Sequence, residues 1–319
     1  MKDPKAFAIV QLTIDPLSEI LSLLRPQSAL SLGLDLAGDW SFHFGPPIGV
    51  KFNAILNGTC WLRIEGQMDW RRLDAGDCFL LARPAPFTLA SHPDAASTDT
   101  KALYRDAKGP IVTWNGGGET KLIGGRFTFP DTDLVPLIAT FPPSMVVKGQ
   151  SAEAAVLHWA LDQLATEMEN PRPGQSLLSD HLAHLMLVHM LRIHLAREDQ
   201  DAAGWLRALS DRQLTRAVTA FHAAPGDSWT LGDLATEAGM SRSSFVSRFR
   251  RIVGMSVAEY LGNWRMMLAR DRLARSRDPV ATIAAAVGYN SEAAFITAFK
   301  RLTQVTPAQY RRNCQVRNG

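Results

Sequence analysis

Residues 230–310 contain the same pattern twice. The first copy runs Leu234-Ala235-Thr236-Glu237-Ala238-Gly239-Met240-Ser241, followed by Phe245, Phe249-Arg250-Arg251, Ser256 and Tyr260. The second runs Ile283-Ala284-Ala285-Ala286-Val287-Gly288-Tyr289-Asn290-Ser291, followed by Phe295, Phe299-Lys300-Arg301, Thr306 and Tyr310. Matching positions are 49 residues apart before the turn and 50 after it, because Asn290 is one extra residue. Self-similarity at a fixed spacing means one supersecondary unit used in tandem, so this part of the chain must fold as two like units side by side.

Each copy has the parts of a helix-turn-helix. A short helix carrying Leu234-Ala235 or Ile283-Ala284 stops at Gly239 or Gly288, since glycine accepts the left-handed conformation that ends a helix. After the turn, Ser241 or Ser291 is placed to cap the next helix by accepting from its unpaired N–H groups. Phe245/Phe249 and Phe295/Phe299 are spaced i,i+4, which anchors one face of that helix in a core and leaves the other outward. The outward face is where a nucleic-acid groove can be read. Its candidate contact residues are Arg242, Ser243, Val246, Ser247 and Arg250 in the first copy, and Glu292, Ala293, Ile296, Thr297 and Lys300 in the second.

Thr230-x-x-Asp233, Ser256-x-x-Glu259 and Thr306-x-x-Gln309 fit the capping box or its acidic variant, and Pro307 occupies the favoured first helical position. Between the copies, residues 256–276 predict one continuous helix of about 20 residues, ~30 Å at ~1.5 Å per residue. A turn of DNA is ~34 Å, so such a connector can set two reading helices in successive major-groove segments on one face of a duplex.

Charge divides the chain in the same place. The formal net charge is only +3, but residues 1–204 carry 17 Lys+Arg against 23 Asp+Glu, a net of −6, while residues 205–319 carry 17 against 8, a net of +9. Sixteen of the 17 basic residues in the rear part are Arg. An acidic front and an arginine-rich rear suit a polyanion-binding domain joined to a domain with another task.

The front reads differently. Over residues 30–130 short apolar stretches alternate with turn signals about every ten residues, the spacing of β structure. Val50–Leu56 and Thr59–Ile64 flank Asn57-Gly58, a pair that tolerates the positive φ of a tight turn, and are therefore expected to pair as an antiparallel hairpin. Met68–Leu73, Cys78–Ala82, Ile111–Trp114 and Lys121–Phe129 continue the strand pattern. The pattern suits a small β-barrel or jelly roll able to enclose a ligand, with a cavity-free β-sandwich as the alternative. Trp40, Trp61, Trp70 and Trp114 suit core positions more than the wall of a pocket. From about Ser151 the period becomes helical, with Ala152–Glu169 and Ser176–Arg197 separated by Pro171-Arg172-Pro173-Gly174. On the second helix Leu178, Leu182, Leu185, Met186, Ile193 and Ala196 form an apolar stripe, to be buried against its own domain or, the reading slightly preferred, a second subunit.

No constellation of catalytic residues emerges. Asp39, His43, Glu65 and Asp77 form no nucleophile–base or metal set, and Asp77 after Gly76 suits a carboxylate bonded to local backbone. His181 and His184 share a helix face near Asp180 but lack an identifiable further ligand. No metal and no cofactor is expected. Cys60, Cys78 and Cys314 are widely spaced, as in a reducing compartment. No apolar run reaches the roughly 18–20 residues of a membrane span, and Met1-Lys2-Asp3-Pro4-Lys5 is not the start of a secretory leader, so the expected setting is cytoplasmic, without membrane contact.

Residues 205–319 resemble the DNA-binding domain of AraC/XylS-type transcriptional regulators. The second copy carries the likeness along its length, in Ile283-Ala284, Val287-Gly288-Tyr289, Phe295, Ala298-Phe299-Lys300-Arg301, Thr306-Pro307 and Tyr310-Arg311. Phe52, Gly58, Trp61-Leu62, Gly76-Asp77 and Gly125-Arg126-Phe127 resemble the cupin-type N-terminal domain of many such regulators. The resemblance implies a multidomain α+β chain, with a cupin-like β-barrel at residues 1–150 for effector binding or dimerisation, a helical connector at 151–204, and an all-α domain at 205–319 with two helix-turn-helix units. It implies a sequence-specific transcriptional regulator and not an enzyme, with double-stranded promoter DNA, RNA polymerase, a small-molecule effector and a second copy of itself as candidate partners. Two departures bear on detail. Ser247 and Thr297 stand two residues before the second Phe of each reading helix, where family members often carry Arg. Metal-binding cupins resemble one another in a His-x-His pair, whereas this front domain has only His43 and His92. The alternatives are a cupin-like enzyme and a ligand-free dimerising DNA-binding protein.

Overall fold

The computed structural model describes residues 15–105, 109–129, 141–150, 154–196 and 204–318. The chain falls into two compact units, Leu24–Ala202 on one hand and Met1–Leu23 with Ala203–Gly319 on the other. Helix α1 (Pro16–Leu24) ends at that division, so the helix up to Leu23 belongs with the rear of the chain.

The Leu24–Ala202 unit is built on two sheets. Its strands are β1 (Gln27–Leu30), β2 (Gly33–Leu36), β3 (Ser41–Phe44), β4 (Val50–Asn57), β5 (Thr59–Ile64), β6 (Arg71–Asp74), β7 (Cys78–Leu81) and β8 (Phe87–Ala90). After helix α2 (Thr100–Arg105) come β9 (Ile111–Trp114), β10 (Thr120–Thr128) and β11 (Ser144–Val147). One sheet has the order β11-β7-β4-β10-β2-β9, with β1 also on β10; the other has the order β3-β8-β5-β6. All pairings are antiparallel except β2 with β9.

Among the described residues the expected barrel is therefore an open two-sheet arrangement, its sheets not closed into one cylinder by hydrogen bonds. The expected Asn57-Gly58 hairpin is likewise corrected. β4 pairs with β7 and β10, and β5 pairs with β6 and β8, so the chain crosses between sheets at Gly58. Gly58 has φ +73 there, and a Cβ on it would stand 2.0 Å from the Glu119 carbonyl oxygen, so this glycine serves a close crossover.

Between the sheets lies an apolar core that includes Trp40, Phe42, Ile55, Cys60, Leu62, Phe79, Phe87 and Leu122. Trp114 packs against it, edge-on to Phe42 at 5.4 Å, while Trp61 and Trp70 are half-buried and Trp70 lies under the Arg63 guanidinium. Burial pushes the thiols of Cys60 and Cys78 up to about 12, which leaves both unreactive. Asp77, 3% exposed, accepts from the backbone of Asp74 and Gly149 and from Lys148 Nζ, so it ties the β6–β7 turn to the chain after β11.

Helices α3 (Ala155–Glu169) and α4 (Gln175–Ala196) pack on each other in this unit, with Leu157, Leu161, Leu164, Leu182, Met186, Met190 and Ile193 buried. The apolar stripe on α4 thus divides. Leu182, Met186 and Ile193 are spent within the unit, whereas Leu178 is 42% exposed and Leu185 half-buried. Asp180 accepts from the Ser28 hydroxyl at 2.6 Å, and both His184 ring nitrogens face carbonyl oxygens, of Asp180 at 2.7 Å and Pro26 at 2.5 Å. Those bonds pin α4 to the start of β1 and leave His184 no nitrogen for a metal.

The rear unit adds α5 (Trp205–Ser210), α6 (Leu214–Ala223), α7 (Leu231–Ala238), α8 (Arg242–Val253), α9 (Val257–Arg275), α10 (Val280–Ala286), α11 (Glu292–Thr303) and α12 (Pro307–Asn318). No helix among the described residues is long and apolar enough to cross a membrane.

Candidate nucleic-acid interface

The two repeated units form as their local chemistry directs. Thr230 accepts from Asp233 N, and Asp233 returns a bond to the Thr230 backbone, a full capping box at the start of α7. Ser256 and Glu259 do the same for α9, and Thr306 with Gln309 for α12. Helix α7 ends on Gly239 at φ 66, after which Ser241 caps α8 by accepting from Ser244 N; Ser291 caps α11 by accepting from Ala294 N.

The inward faces repeat with the same fidelity. Phe245 and Phe249 are buried with ring centroids 5.8 Å apart, and Phe295 and Phe299 are buried at 5.5 Å. Tyr260 meets Phe249 edge-on at 5.5 Å, and Tyr310 meets Phe299 edge-on at 5.6 Å. These contacts fix the rotation of α8 and α11 about their own axes, and so decide which side chains face outward.

On α8, Arg242, Ser243, Val246, Ser247 and Arg250 are all exposed. With Leu231 and Arg251 they line one open depression running along the helix. On α11, Glu292, Ala293, Thr297 and Lys300 are exposed, but Ile296 is half-buried against the core of its own unit. The Thr297 hydroxyl donates to the Ala293 carbonyl at 3.0 Å, so its proton is already used. A smaller hollow of ≈ 440 Å³ is lined by Ala293, Ala294, Thr297, Ala298 and Arg301. Arg251 and Arg301, four residues after the candidate contacts Ser247 and Thr297 and on the same helical face, join the lining although the sequence pattern does not single them out as contacts. The two faces differ in chemistry: the first has three arginines, the second small residues, one acid and two cations.

Helix α9, 19 residues and about 28 Å long at ~1.5 Å per residue, joins the units. Its Arg265 donates to the carbonyls of Pro225 and Asp227 at 2.8 and 2.7 Å, which fastens the connector to the loop between α6 and α7. Behind α8, Asp211 accepts from Arg248 at 2.7 Å and from the N–H groups of Gln213 and Leu214. Partial burial pushes the Asp211 carboxyl up, but the Leu214 N–H, Arg248 and the Gln213 N–H together hold it below the usual carboxylate range.

Among the described residues no group of three or more His, Cys, Asp or Glu is placed to hold a metal ion.

Residues 15–196 match the cupin family and residues 234–313 match a helix-turn-helix domain family. The chain is 39% identical over 300 residues to an AraC-like transcription regulator of Streptomyces lividans, covering 94% of this chain and 99% of the relative. A Streptomyces antibioticus protein of the same description is 38% identical over 300 residues, with the same coverage of both chains. The transcriptional regulator AlkR of Acinetobacter baylyi is 38% identical over 314 residues, covering 93% of this chain and 99% of that one. Among solved structures, the DNA-binding domain of AdpA in complex with a target DNA is 28% identical, covering 34% of this chain and 96% of that one, at a TM-score of 0.32.

Proposed function

Because this chain belongs to the AraC-type transcription regulators and is itself a DNA-binding regulator, we propose that α8 and α11 are its DNA-reading helices and that the cupin unit ahead of them senses a small molecule. The observation that carries the reading is the pair of capped helices whose phenylalanines fix their rotation while Arg242, Ser247, Arg250, Glu292, Thr297 and Lys300 stay exposed. On α8, Arg242 and Arg250 are long enough for base edges or phosphates, and Ser243 and Ser247 offer hydroxyls to either. On α11, Ala293 and Ile296 suit apolar contact such as a thymine methyl, Glu292 an exposed cytosine amino group, and Lys300 a phosphate.

Regulation of promoters further implies a cytoplasmic protein acting near RNA polymerase, with the exposed part of α4 as the face for a second copy. No enzymatic step is assigned. A ligand-free front unit is the second reading, favoured by the dense aromatic filling between its sheets. Thermal-shift screening of the full chain against small-molecule libraries separates the two: a saturable rise in melting temperature supports a sensor, and none across the screen supports the ligand-free reading.

DNA binding is tested by anisotropy against genomic fragments at several salt concentrations. Affinity should fall steeply with salt and one fragment class should bind much more tightly than random duplex. Binding that ignores salt, or an absence of preferred fragments, would overturn the assignment of these helices.

A further inference from the structure

A second basic feature lies off the reading face. Arg212, just before α6, Arg216 on α6 and Arg248 on α8 line a hollow of ≈ 470 Å³ together with Gln213, Ala238 and Gly239. Arg248 is neutralised by Asp211. Arg212 and Arg216 are exposed, and among the described residues neither has a hydrogen-bond or ion-pair partner. Arg216 reaches over the turn between α7 and α8, where a Cβ on Gly239 would stand 3.6 Å from its Nη1.

The internal repeat tells whether the fold needs these arginines. Leu214, Ala217 and Phe221 are among the buried residues by which α6 enters the first unit, and Met266, Ala269 and Leu273, at the same spacing, do this for α9 in the second. On that correspondence Arg212, Arg216 and Arg248 become Trp264, Leu268 and Ala298. The second unit closes the same three-helix core without a single cation in those places. The arginine hollow is an addition to the first unit and is not a condition of its folding.

Its position indicates the ligand. At ~100° per residue the α8 residues lining the depression span about 180° around the helix, from Arg242 to Arg251, and Arg248 lies about 60° beyond Arg251, so the hollow borders one edge of the outward side of α8. A helix in the major groove has a phosphate backbone on each flank. We propose that Arg212 and Arg216 bind phosphodiester oxygens of the DNA strand running past the α6 side of α8, with Arg248 held by Asp211 as the rigid rear wall. This inference rests on the DNA-reading assignment of α8 and adds a site outside it. Guanidinium groups without internal partners are free to release counterions from phosphate, which gives affinity without sequence preference.

The test compares full-length wild-type protein with Arg212→Gln/Arg216→Gln and with Arg212→Lys/Arg216→Lys. Binding to the tightest genomic fragment and to a random duplex is measured between 50 and 200 mM salt. Losing two phosphate contacts makes the log–log salt slope shallower by about 1.8, so wild type loses about tenfold more affinity than the Gln variant over that range. The ratio of specific to random binding should stay the same, the Lys variant should keep the wild-type slope, and the melting temperature should not change. A Gln variant with the wild-type slope, or one that loses the specific fragment alone, overturns the proposal while leaving the reading of α8 intact. Wild-type protein that binds no DNA overturns both. Inorganic phosphate that raises the melting temperature of wild type but not of the Gln variant, with the DNA slope unchanged, makes the hollow a site for a free anion and overturns its assignment to DNA.

Discussion

Glu19 Oε2 lies 2.8 Å from His222 Nδ1, and the other nitrogen of that ring lies 2.8 Å from the Tyr260 hydroxyl. The His222 side chain is 1% exposed and stacks on Trp264 at 4.0 Å. One ring therefore joins α1, α6 and α9. A neutral imidazole satisfies all of this, with Nδ1–H donating to Glu19 and Nε2 accepting from Tyr260.

Burial lowers the pKa of His222, and Glu19 only partly offsets it. An unfolded histidine, with a pKa of about 6.5, then binds more protons than the folded one as pH falls below that value. The stability of the rear unit should be full above about pH 6.5 and be lost progressively below it, towards the depressed folded value. Urea denaturation of wild type at pH 5 and pH 7.5 should show this difference, and His222→Gln should reduce it. His222→Ala should cost about 1–3 kcal/mol beyond lost packing, since it strands the buried Tyr260 hydroxyl. A wild-type protein equally stable at both pH values would contradict the neutral-ring arrangement.

Gly58 and Gly66 offer a contrast between two glycines that look alike in sequence. Both have positive φ, +73 and +85, but a Cβ at Gly66 meets nothing within 4 Å, whereas at Gly58 it would strike the Glu119 carbonyl. Gly66→Ala should cost about 1–2 kcal/mol, the left-handed strain alone. Gly58→Ala should cost clearly more, because β4, β5 or the start of β10 must move. Comparable losses in thermal denaturation of the two variants would mean that the crossover is not tight.

Gly58 also marks where the sequence stops being legible. The helix starts at Thr230, Ser241, Ser256, Ser291 and Thr306 were readable because a cap is decided within four residues. The Phe245/Phe249 and Phe295/Phe299 faces were readable because helical rotation follows from spacing. Strands β4 and β5 were also readable as strands, but their partners are set by which sheet buries which face, a choice spread over β6, β7, β8 and β10. Asn57-Gly58 has the same local chemistry whether the chain turns back on itself or crosses to another sheet. Helix α1 is illegible for a related reason: the Glu19–His222 bond that helps to place it joins residues 203 apart in the chain. Spacing alone turns Ile296 outward, and the partial cover it receives from its own core comes from packing that spacing does not encode.

The apolar remainder of α4 gives the last prediction. Leu178 and Leu185 are seven residues apart, hence on nearly the same line along the helix, and Leu177 beside them is 65% exposed. Leu182, Met186 and Ile193 fill the unit's own core, so substitutions at Leu178 and Leu185 disturb folding less than any at those three. If a second copy covers this face, burying two leucines contributes roughly 1.5–3 kcal/mol each, and charges there should weaken dimerisation at least a hundredfold. Leu178→Asp/Leu185→Asp should therefore sediment as a monomer at micromolar concentration while melting close to wild type. The single substitution Leu178→Ala should lower the dimer fraction by a smaller amount. A double variant that stays as dimeric as wild type would place the contact elsewhere on the molecule.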